Sequence, residues 1–185
     1  MKKSEVEHVL RAAGRIVGDT QFIIIGSQFI HAKYPDRFLG AAVSAELDII
    51  SKNKPDRTEL LNAIGVDSPF HEAFGYYADP VDERTAMLPR DWRGRLVNLK
   101  VEGSDGVAGL CLDPHDLLIS KYYARREKDI AFNREVVNSG LVDKTRLLEL
   151  VDLTPIPDDV KERMRAYIEL DFREADDLQV APDPN

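Results

Sequence analysis

The stretch SAELDII, residues 44–50, places two carboxylates, Glu46 and Asp48, in a run that is otherwise typical of a buried strand. On a strand, side chains two positions apart point to the same side and lie roughly 7 Å apart along the backbone. The acids therefore share one face, and Leu47 and Ile49 face the core. Two interpretations follow: a divalent cation such as Mg²⁺ offsets the repulsion between the carboxylates, or the acids belong to a strand face exposed to water.

Another strand precedes this pair. Residues 21–25, QFIII, predict a strand buried on both faces. Gly26 and Ser27 then turn the chain into a short helix that must stop at Pro35. A glycine at such a turn lets a phosphate approach backbone N–H groups and the positive end of the helix, and Ser27 adds a hydroxyl. The alternative is an ordinary strand-to-helix turn with Ser27 as its N-cap.

The rest of the chain predicts a small mixed sheet followed by helices. Residues 41–50 form the strand of the acid pair, and residues 79–95, rich in Pro, Asp and Arg, indicate a long loop. Residues 96–102 alternate strictly and residues 107–112 return after a turn, which predicts a hairpin. Helical patterns cover residues 4–17, 56–64, 69–74, 113–126, 128–138, 143–151 and 158–175.

For two of these helices, the sequence also predicts the start, the end or the buried positions. Ser4 with Glu7 is a capping-box pattern that starts the first helix, and Gly18 ends it. The helix over residues 56–64 begins with a similar pattern. Its predicted buried positions are Leu60, Leu61 and Ile64.

Composition bounds the possible functions. The chain has 185 residues and a net charge of −8, and residues 149–185 alone, with 11 acids and 4 bases, contribute −7. A body that is nearly neutral excludes general coating of nucleic acid, which needs a basic surplus, but it allows a small phosphorylated or tRNA-like substrate. The single cysteine, Cys111, and the lack of an apolar run long enough for a membrane predict a cytoplasmic protein.

A positive stripe is predicted on the helix that begins near residue 113. Lys121, Arg125 and Lys128 fall at i, i+4 and i+7, so they share one face if the helix continues through Glu127. Asp129 is adjacent to this stripe. Such a stripe would neutralise a triphosphate, and the alternative is an ordinary solvated helix face.

These features resemble the polymerase-β-like nucleotidyltransferase superfamily: a Gly-Ser turn after a strand, and a carboxylate pair on the next strand. The segment CLDPHDLLISKYYARREKDIAFNREVVNSGLVD, residues 111–143, is similar to a bacterial group of nucleotidyltransferase-fold proteins related to toxin–antitoxin nucleotidyltransferases. The resemblance covers about residues 18–150. It implies an α/β (α+β) fold, with a nucleotidyltransferase-like mixed sheet flanked by helices over residues 1–112 and a helical region packed on that core over residues 113–175. Residues 176–185 are predicted to be a disordered tail.

The resemblance also implies a chemistry and a set of site residues. Glu46 and Asp48 would hold Mg²⁺ or Mn²⁺, Gly26 and Ser27 would grip the phosphates of an NTP, and an acceptor hydroxyl would attack the α-phosphorus. The expected third acid, on a neighbouring strand, has no clean counterpart in the sequence. The central polar position of the 96–102 strand is Asn98, whose amide oxygen would complete the metal ligands. The further residues implied in phosphate or acceptor binding, or in catalysis, are Lys121, Arg125, Lys128 and Asp129.

Two hypotheses about function follow from the sequence. The first is a metal-dependent nucleotidyltransferase acting on an RNA end such as tRNA, a protein hydroxyl or a small molecule, within a toxin–antitoxin system that supplies a cognate partner protein. The second is a non-catalytic protein of the same fold that binds a nucleotide or a protein partner. Neither hypothesis involves a membrane.

Overall fold

The computed structural model describes residues 1–28, 30, 44–104 and 106–180. These residues form two compact units. The first unit contains the described residues up to 86 together with residues 93–113, and the second contains residues 87–92 and 114–180. The predicted stop at Pro35 and residues 41–43 of the predicted second strand lie outside the described residues.

The first unit is built on a five-stranded sheet in the order β3-β2-β1-β5-β4. Its strands are β1 (Gln21–Ile24), β2 (Glu46–Ser51), β3 (Tyr77–Pro80), β4 (Val97–Lys100) and β5 (Ala108–Cys111). The β1–β2 and β4–β5 pairs are antiparallel, whereas β1–β5 and β2–β3 are parallel. The sheet is therefore mixed, and the predicted α/β fold class and the predicted hairpin are confirmed.

Helix α1 (Lys3–Val17) packs against the sheet face that carries Ile24 and Gly109. A Cβ built on Gly109 would lie 2.9 Å from Cδ1 of Ile24 and 3.2 Å from Cδ1 of Leu10, so a glycine is needed for this close approach. The helix ends at Gly18, which adopts a φ of 70°, as predicted. Its start differs from the prediction.

The first helix begins one residue before the predicted cap at Ser4. The backbone N–H of Lys2 donates to Oε2 of Glu5 across 2.7 Å, so Glu5 closes the first turn. Glu7 lies two residues further along and has Lys3 and Arg11 as its ionic partners.

The segment between β2 and β3 corrects a second prediction. Residues Pro55–Ile64 form a 3₁₀ helix, not an α-helix. A 3₁₀ helix has three residues per turn, and its buried residues, Thr58, Leu61 and Ile64, are spaced by three. Leu60, predicted to be buried, is 46% exposed for that reason. The following short helix α2 (Pro69–Phe74) has the predicted bounds, and Ser68 caps it.

The region predicted as a long loop, residues 79–95, is more ordered than its composition indicates. Strand β3 extends through Asp79 to Pro80 because its backbone pairs with β2. Short 3₁₀ turns follow at Glu83–Thr85 and Trp92–Arg95.

The second unit is helical, as predicted. Its helices are α3 (Pro114–Ala124), α4 (Glu127–Asn138), α5 (Lys144–Leu153) and α6 (Asp158–Val180). Tyr122 of α3 is buried, and its hydroxyl donates to Oδ2 of Asp171 on α6 across 2.9 Å. Arg134 of α4 donates to the other oxygen of Asp171, so this acid joins three helices.

Two helix ends in the second unit differ from the predictions. The helix that begins near residue 113 does not continue through Glu127, because Arg125 adopts a φ of 51° and Arg126 is extended. The last helix continues to Val180, with Ala175 buried in its final third. Residues 181–185 lie outside the described residues. In the part of the chain that the structure describes, no helix combines the length and apolar character needed to cross a membrane.

Candidate carboxylate site on the sheet

Strand β2 presents its two acids on one face, as its alternation predicts. Leu47 and Ile49 are fully buried, whereas Glu46 and Asp48 are half-buried on the opposite face. The backbone N–H of Ile25 donates to the carbonyl of Asp48 across 3.0 Å, so the end of β1 lies beside this acid. The acid pair and the Gly-Ser turn therefore meet at one end of the two strands.

Gly26 leaves space at this turn for the carboxylate of Asp48. A Cβ built on Gly26 would lie only 2.4 Å from Oδ2 of Asp48. The carboxylate thus lies in the space that any side chain at position 26 would fill. Ser27 comes next and begins a helical turn, with its carbonyl accepting from the N–H of Ile30. The structure brings together Gly26, Asp48 and Glu46, and Ser27 follows directly in the chain.

Asp79 is a third acid on this face and is not among the site residues predicted from the sequence. Strand β3 runs parallel to β2, with Asp79 in register with Asp48 and Tyr77 in register with Glu46. Neighbouring strands lie about 4.8 Å apart, and residues in register point to the same side. Burial and the charge of Glu46 both raise the pKa of Asp79 above its ordinary value. The one sequence signal was the spacing of Tyr77 and Asp79, which matches the period of a strand.

Tyr77 borders the acids directly. Its hydroxyl donates to Oε2 of Glu46 across 3.3 Å. Burial raises the pKa of Tyr77, and the negative charges of Glu46, Asp79 and Asp48 raise it further. The phenol is therefore a neutral hydrogen-bond donor beside Glu46, Asp48 and Asp79.

Asn98 does not join the acids. It lies on β4 in register with Leu110 of β5, and both β5 and β1 separate β4 from β2. Three strand spacings amount to about 14 Å, which is too far for Asn98 to share an ion with Glu46 and Asp48. The prediction that Asn98 is a metal ligand is therefore wrong, and its strand lies at the far edge of the sheet because strand order depends on non-local pairing.

The carboxylate oxygens of Glu46, Asp48 and Asp79 are suitable ligands for a hard divalent cation. Among the described residues, no three His, Cys, Asp or Glu side chains are grouped closely enough to form a complete protein metal site. Mg²⁺, however, is usually bound by one or two carboxylates together with substrate phosphates and water. Glu46 and Asp48, with Asp79 beside them, provide such an incomplete set of oxygen ligands. They lie next to the turn at Gly26, which has no side chain.

Candidate residues of the helical unit

Asp129 forms the clearest ionic cluster of the second unit. Its carboxylate is 1% exposed, lies 3.1 Å from Nζ of Lys121 and accepts from Nε of Arg126 across 2.7 Å. Burial opposes the charged form, but the hydrogen bond from Arg126 and the charge of Lys121 outweigh it and lower the pKa of Asp129. Asp129 also accepts from the backbone N–H of Arg126. It therefore starts helix α4 and links it to Lys121 on α3.

The predicted stripe of Lys121, Arg125 and Lys128 is not formed on one helix. The break at Arg125 places Lys121 on α3 and Lys128, which is exposed, on α4. The guanidinium of Arg125 lies over the ring of Tyr167 at 3.6 Å from its centroid. Its Nη1 is buried and has no hydrogen-bond partner in the described part of the chain.

Comparison with family models gave a match over most of the chain. A family model described as "Nucleotidyltransferase of unknown function (DUF6036)" matches residues 5–172, which is most of the chain. Neither the comparison with curated proteins nor the comparison with solved structures gave a significant match.

Proposed function

The chain belongs to this family of nucleotidyltransferases, and on that premise we propose that it transfers a nucleotidyl group from an NTP to an acceptor hydroxyl with the help of Mg²⁺ or Mn²⁺. One observation carries the proposal. The carboxylate of Asp48 fills the space left by Gly26 at the end of β1, with Glu46 and Asp79 on the same face of the sheet. Acids beside a side-chain-free turn suit a metal-bound triphosphate.

The residues of the site have distinct roles in this proposal. Glu46 and Asp48 hold the cation, which when bound neutralises phosphate charge and polarises the reacting phosphorus. Gly26 leaves room for the carboxylate of Asp48, its backbone grips the phosphates together with Ser27, and the Ser27 hydroxyl donates to one of them. As the acceptor oxygen bonds to the α-phosphorus, the α–β phosphoanhydride bond breaks and pyrophosphate leaves. Asp79 accepts the proton of the attacking hydroxyl on its carboxylate, a role that its raised pKa suits.

The superfamily and the class of acceptor are proposed from features of the sequence. The order of the Gly-Ser turn and the acid pair supports a polymerase-β-like enzyme, and the sequence of residues 111–143 supports a relation to toxin–antitoxin nucleotidyltransferases. In that setting the acceptor is an RNA end such as that of tRNA, or a protein hydroxyl, and a cognate protein is the partner. A small-molecule acceptor is the remaining class. The roles of Lys121, Arg125, Lys128 and Asp129 in nucleotide binding or catalysis remain predictions.

The alternative is a non-catalytic protein of the same fold. The absence of a clear third acid in the sequence favours this alternative, whereas Asp79, in register with Asp48 on the neighbouring strand, supports the enzyme. The enzyme is therefore the better-supported proposal.

Calorimetric titration with each of the four NTPs, with and without Mg²⁺, tests this function. The parent is expected to bind at least one NTP in a metal-dependent manner. Asp48→Asn removes one negative charge with little change of shape and is expected to abolish that dependence. Asp56→Asn makes the same change at an exposed acid of the 3₁₀ helix and serves as the matched control.

The outcomes separate the function from the site. If the parent binds no NTP in the presence of Mg²⁺ or Mn²⁺, the enzyme proposal fails. If Asp48→Asn and the parent bind equally, the function stands but the site is misassigned.

A further inference from the structure

Tyr77 stands directly against one of the two acids on β2. Its Cα is the register partner of Glu46 across the parallel β2–β3 pair, so both side chains leave the same face of the sheet. The Tyr77 hydroxyl donates to Oε2 of Glu46 across 3.3 Å. This is long for an O–H···O bond, and such bonds often tighten only when the reacting complex forms.

The two acids of β2 are held in place by different means. Asp48 has a short side chain, and its Oδ2 lies 2.4 Å from the position that a Cβ on Gly26 would take. Glu46 has one more methylene and one more rotatable bond, so fixing its carboxylate costs more conformational entropy. A hydrogen-bond donor opposite Glu46 offsets that freedom and leaves its other oxygen to face a cation.

The ring of Tyr77 is itself held by His71 of helix α2. The two ring centroids lie 4.6 Å apart at an interplanar angle of 56°. Nδ1 of His71 accepts the backbone N–H of Asp67 across 3.1 Å. When neutral, His71 therefore carries its proton on Nε2, and its ring orientation is fixed from the backbone.

We propose that Tyr77 is a positioning residue, whose hydroxyl holds the Glu46 carboxylate in the orientation that binds the divalent cation of the metal–nucleotide complex. This inference rests on the proposed function, because it gives a partner to one of the two metal-binding acids. Groups that orient a metal ligand typically contribute about 10- to 100-fold in metal affinity or activity. Tyr77 acts through Glu46 and does not itself contact the substrate.

The test compares two phenol-to-phenyl substitutions at neighbouring positions. Tyr77→Phe keeps the ring and its contact with His71 but removes the hydroxyl. Tyr76→Phe is the matched control, because the Tyr76 hydroxyl lies 2.8 Å from Nδ1 of His8, whereas that of Tyr77 donates to Glu46 of β2. Titration of Mn²⁺ at a fixed concentration of the bound NTP is expected to show about tenfold weaker Mn²⁺ binding for Tyr77→Phe and no change for Tyr76→Phe.

A double-mutant cycle with Glu46→Gln separates positioning from a general structural effect. If Tyr77 acts through Glu46, adding Tyr77→Phe to Glu46→Gln causes no further loss of Mn²⁺ affinity. An undiminished further loss in that background overturns the proposal, and so does parent-like Mn²⁺ affinity in Tyr77→Phe alone.

A metal-free measurement distinguishes this proposal from the proposed function. The side-chain carboxyl ¹³C signal of Glu46 is expected to shift in Tyr77→Phe and to stay in place in Tyr76→Phe. If the parent binds no metal–NTP complex, the proposed function fails, while a shifted signal still supports the contact between Tyr77 and Glu46. An unshifted signal overturns the positioning role whatever the parent binds.

Discussion

Asp19 is the residue whose contribution to stability is defined most sharply by its contacts. Its carboxylate is 4% exposed, and Oδ1 accepts from Thr20 N at 2.7 Å, Gln21 N at 3.2 Å and Asn53 Nδ2 at 2.8 Å. Oδ2 accepts from Ser51 Oγ at 2.6 Å and Asn53 N at 2.9 Å. These five bonds tie the start of β1 to the end of β2. Burial alone raises the pKa of Asp19, but the bonds from Ser51 and Asn53 outweigh it and lower the pKa from 3.8 to about 2.

The pKa of Asp19 sets both the size and the pH dependence of its effect. Since the folded pKa lies below the unfolded one, the ionised carboxylate stabilises the fold above about pH 4, and that contribution is lost as the pH falls towards 2. The shift corresponds to about 2 kcal/mol at neutral pH. In Asp19→Asn, an amide NH₂ replaces one carboxylate oxygen and faces hydrogen-bond donors such as the backbone N–H of Asn53. This mismatch adds about 1 kcal/mol to the loss of stability. The expected loss is therefore about 3 kcal/mol at pH 7.

Urea denaturation of the parent and of Asp19→Asn at pH 7 and pH 2.5 measures this effect. The difference in unfolding free energy between the two proteins is expected to shrink by about 1.5 kcal/mol at the lower pH, because the parent loses its ionised carboxylate. Asp56→Asn, at an exposed acid, is expected to change stability by less than about 0.5 kcal/mol. A difference at pH 7 below about 1 kcal/mol, or one that does not vary with pH, would refute the account of Asp19.

Three further predictions follow from single side chains. Gly26→Ala is expected to weaken Mg²⁺-dependent NTP binding at least tenfold with a near-parent melting temperature, because the new Cβ displaces the carboxylate of Asp48; unchanged calorimetric binding would contradict this. Asn133→Leu is expected to raise the free energy of unfolding, measured in urea, by about 1 kcal/mol, because the buried amide has no hydrogen-bond partner among the described residues. A decrease of similar size in that free energy would contradict this and mean that the amide is hydrogen-bonded in solution. Leu61→Ala is expected to cost about 2–4 kcal/mol and Leu60→Ala less than about 0.5 kcal/mol; similar costs would contradict the three-residue periodicity of the Pro55–Ile64 helix.

Local patterns were sufficient for the parts of the fold that depend on neighbours in the chain. The alternation around Glu46 and Asp48 and the left-handed stop at Gly18 each follow from a few consecutive residues. For the same reason, Gly26 could be singled out from the sequence, although its steric relation to Asp48 could not. That relation depends on how β1 and β2 pair.

Non-local pairing decided the parts that the sequence did not reveal. Asp79 lies in a tract whose prolines and aspartates indicate a loop, and it becomes a strand residue only because β2 offers its backbone as a partner. Asn98 has the right alternation but lies on the far edge of the sheet. The helix break at Arg125 follows from capping by Asp129, which competes with a continuous helix and prevails once Lys121 and Arg126 neutralise the buried acid.

The contact between Gly26 and Asp48 also has an evolutionary consequence. Because the carboxylate of Asp48 occupies the volume of a Cβ at position 26, position 26 can gain a side chain only if that carboxylate moves. The constraint runs in one direction, since a smaller residue at position 48 leaves Gly26 undisturbed, and a lineage is expected to keep the glycine for as long as it keeps Asp48 in this position. A mutant library that randomises position 26 alone would consist mostly of chains with a displaced carboxylate, whereas randomising both positions together would also sample compensated combinations.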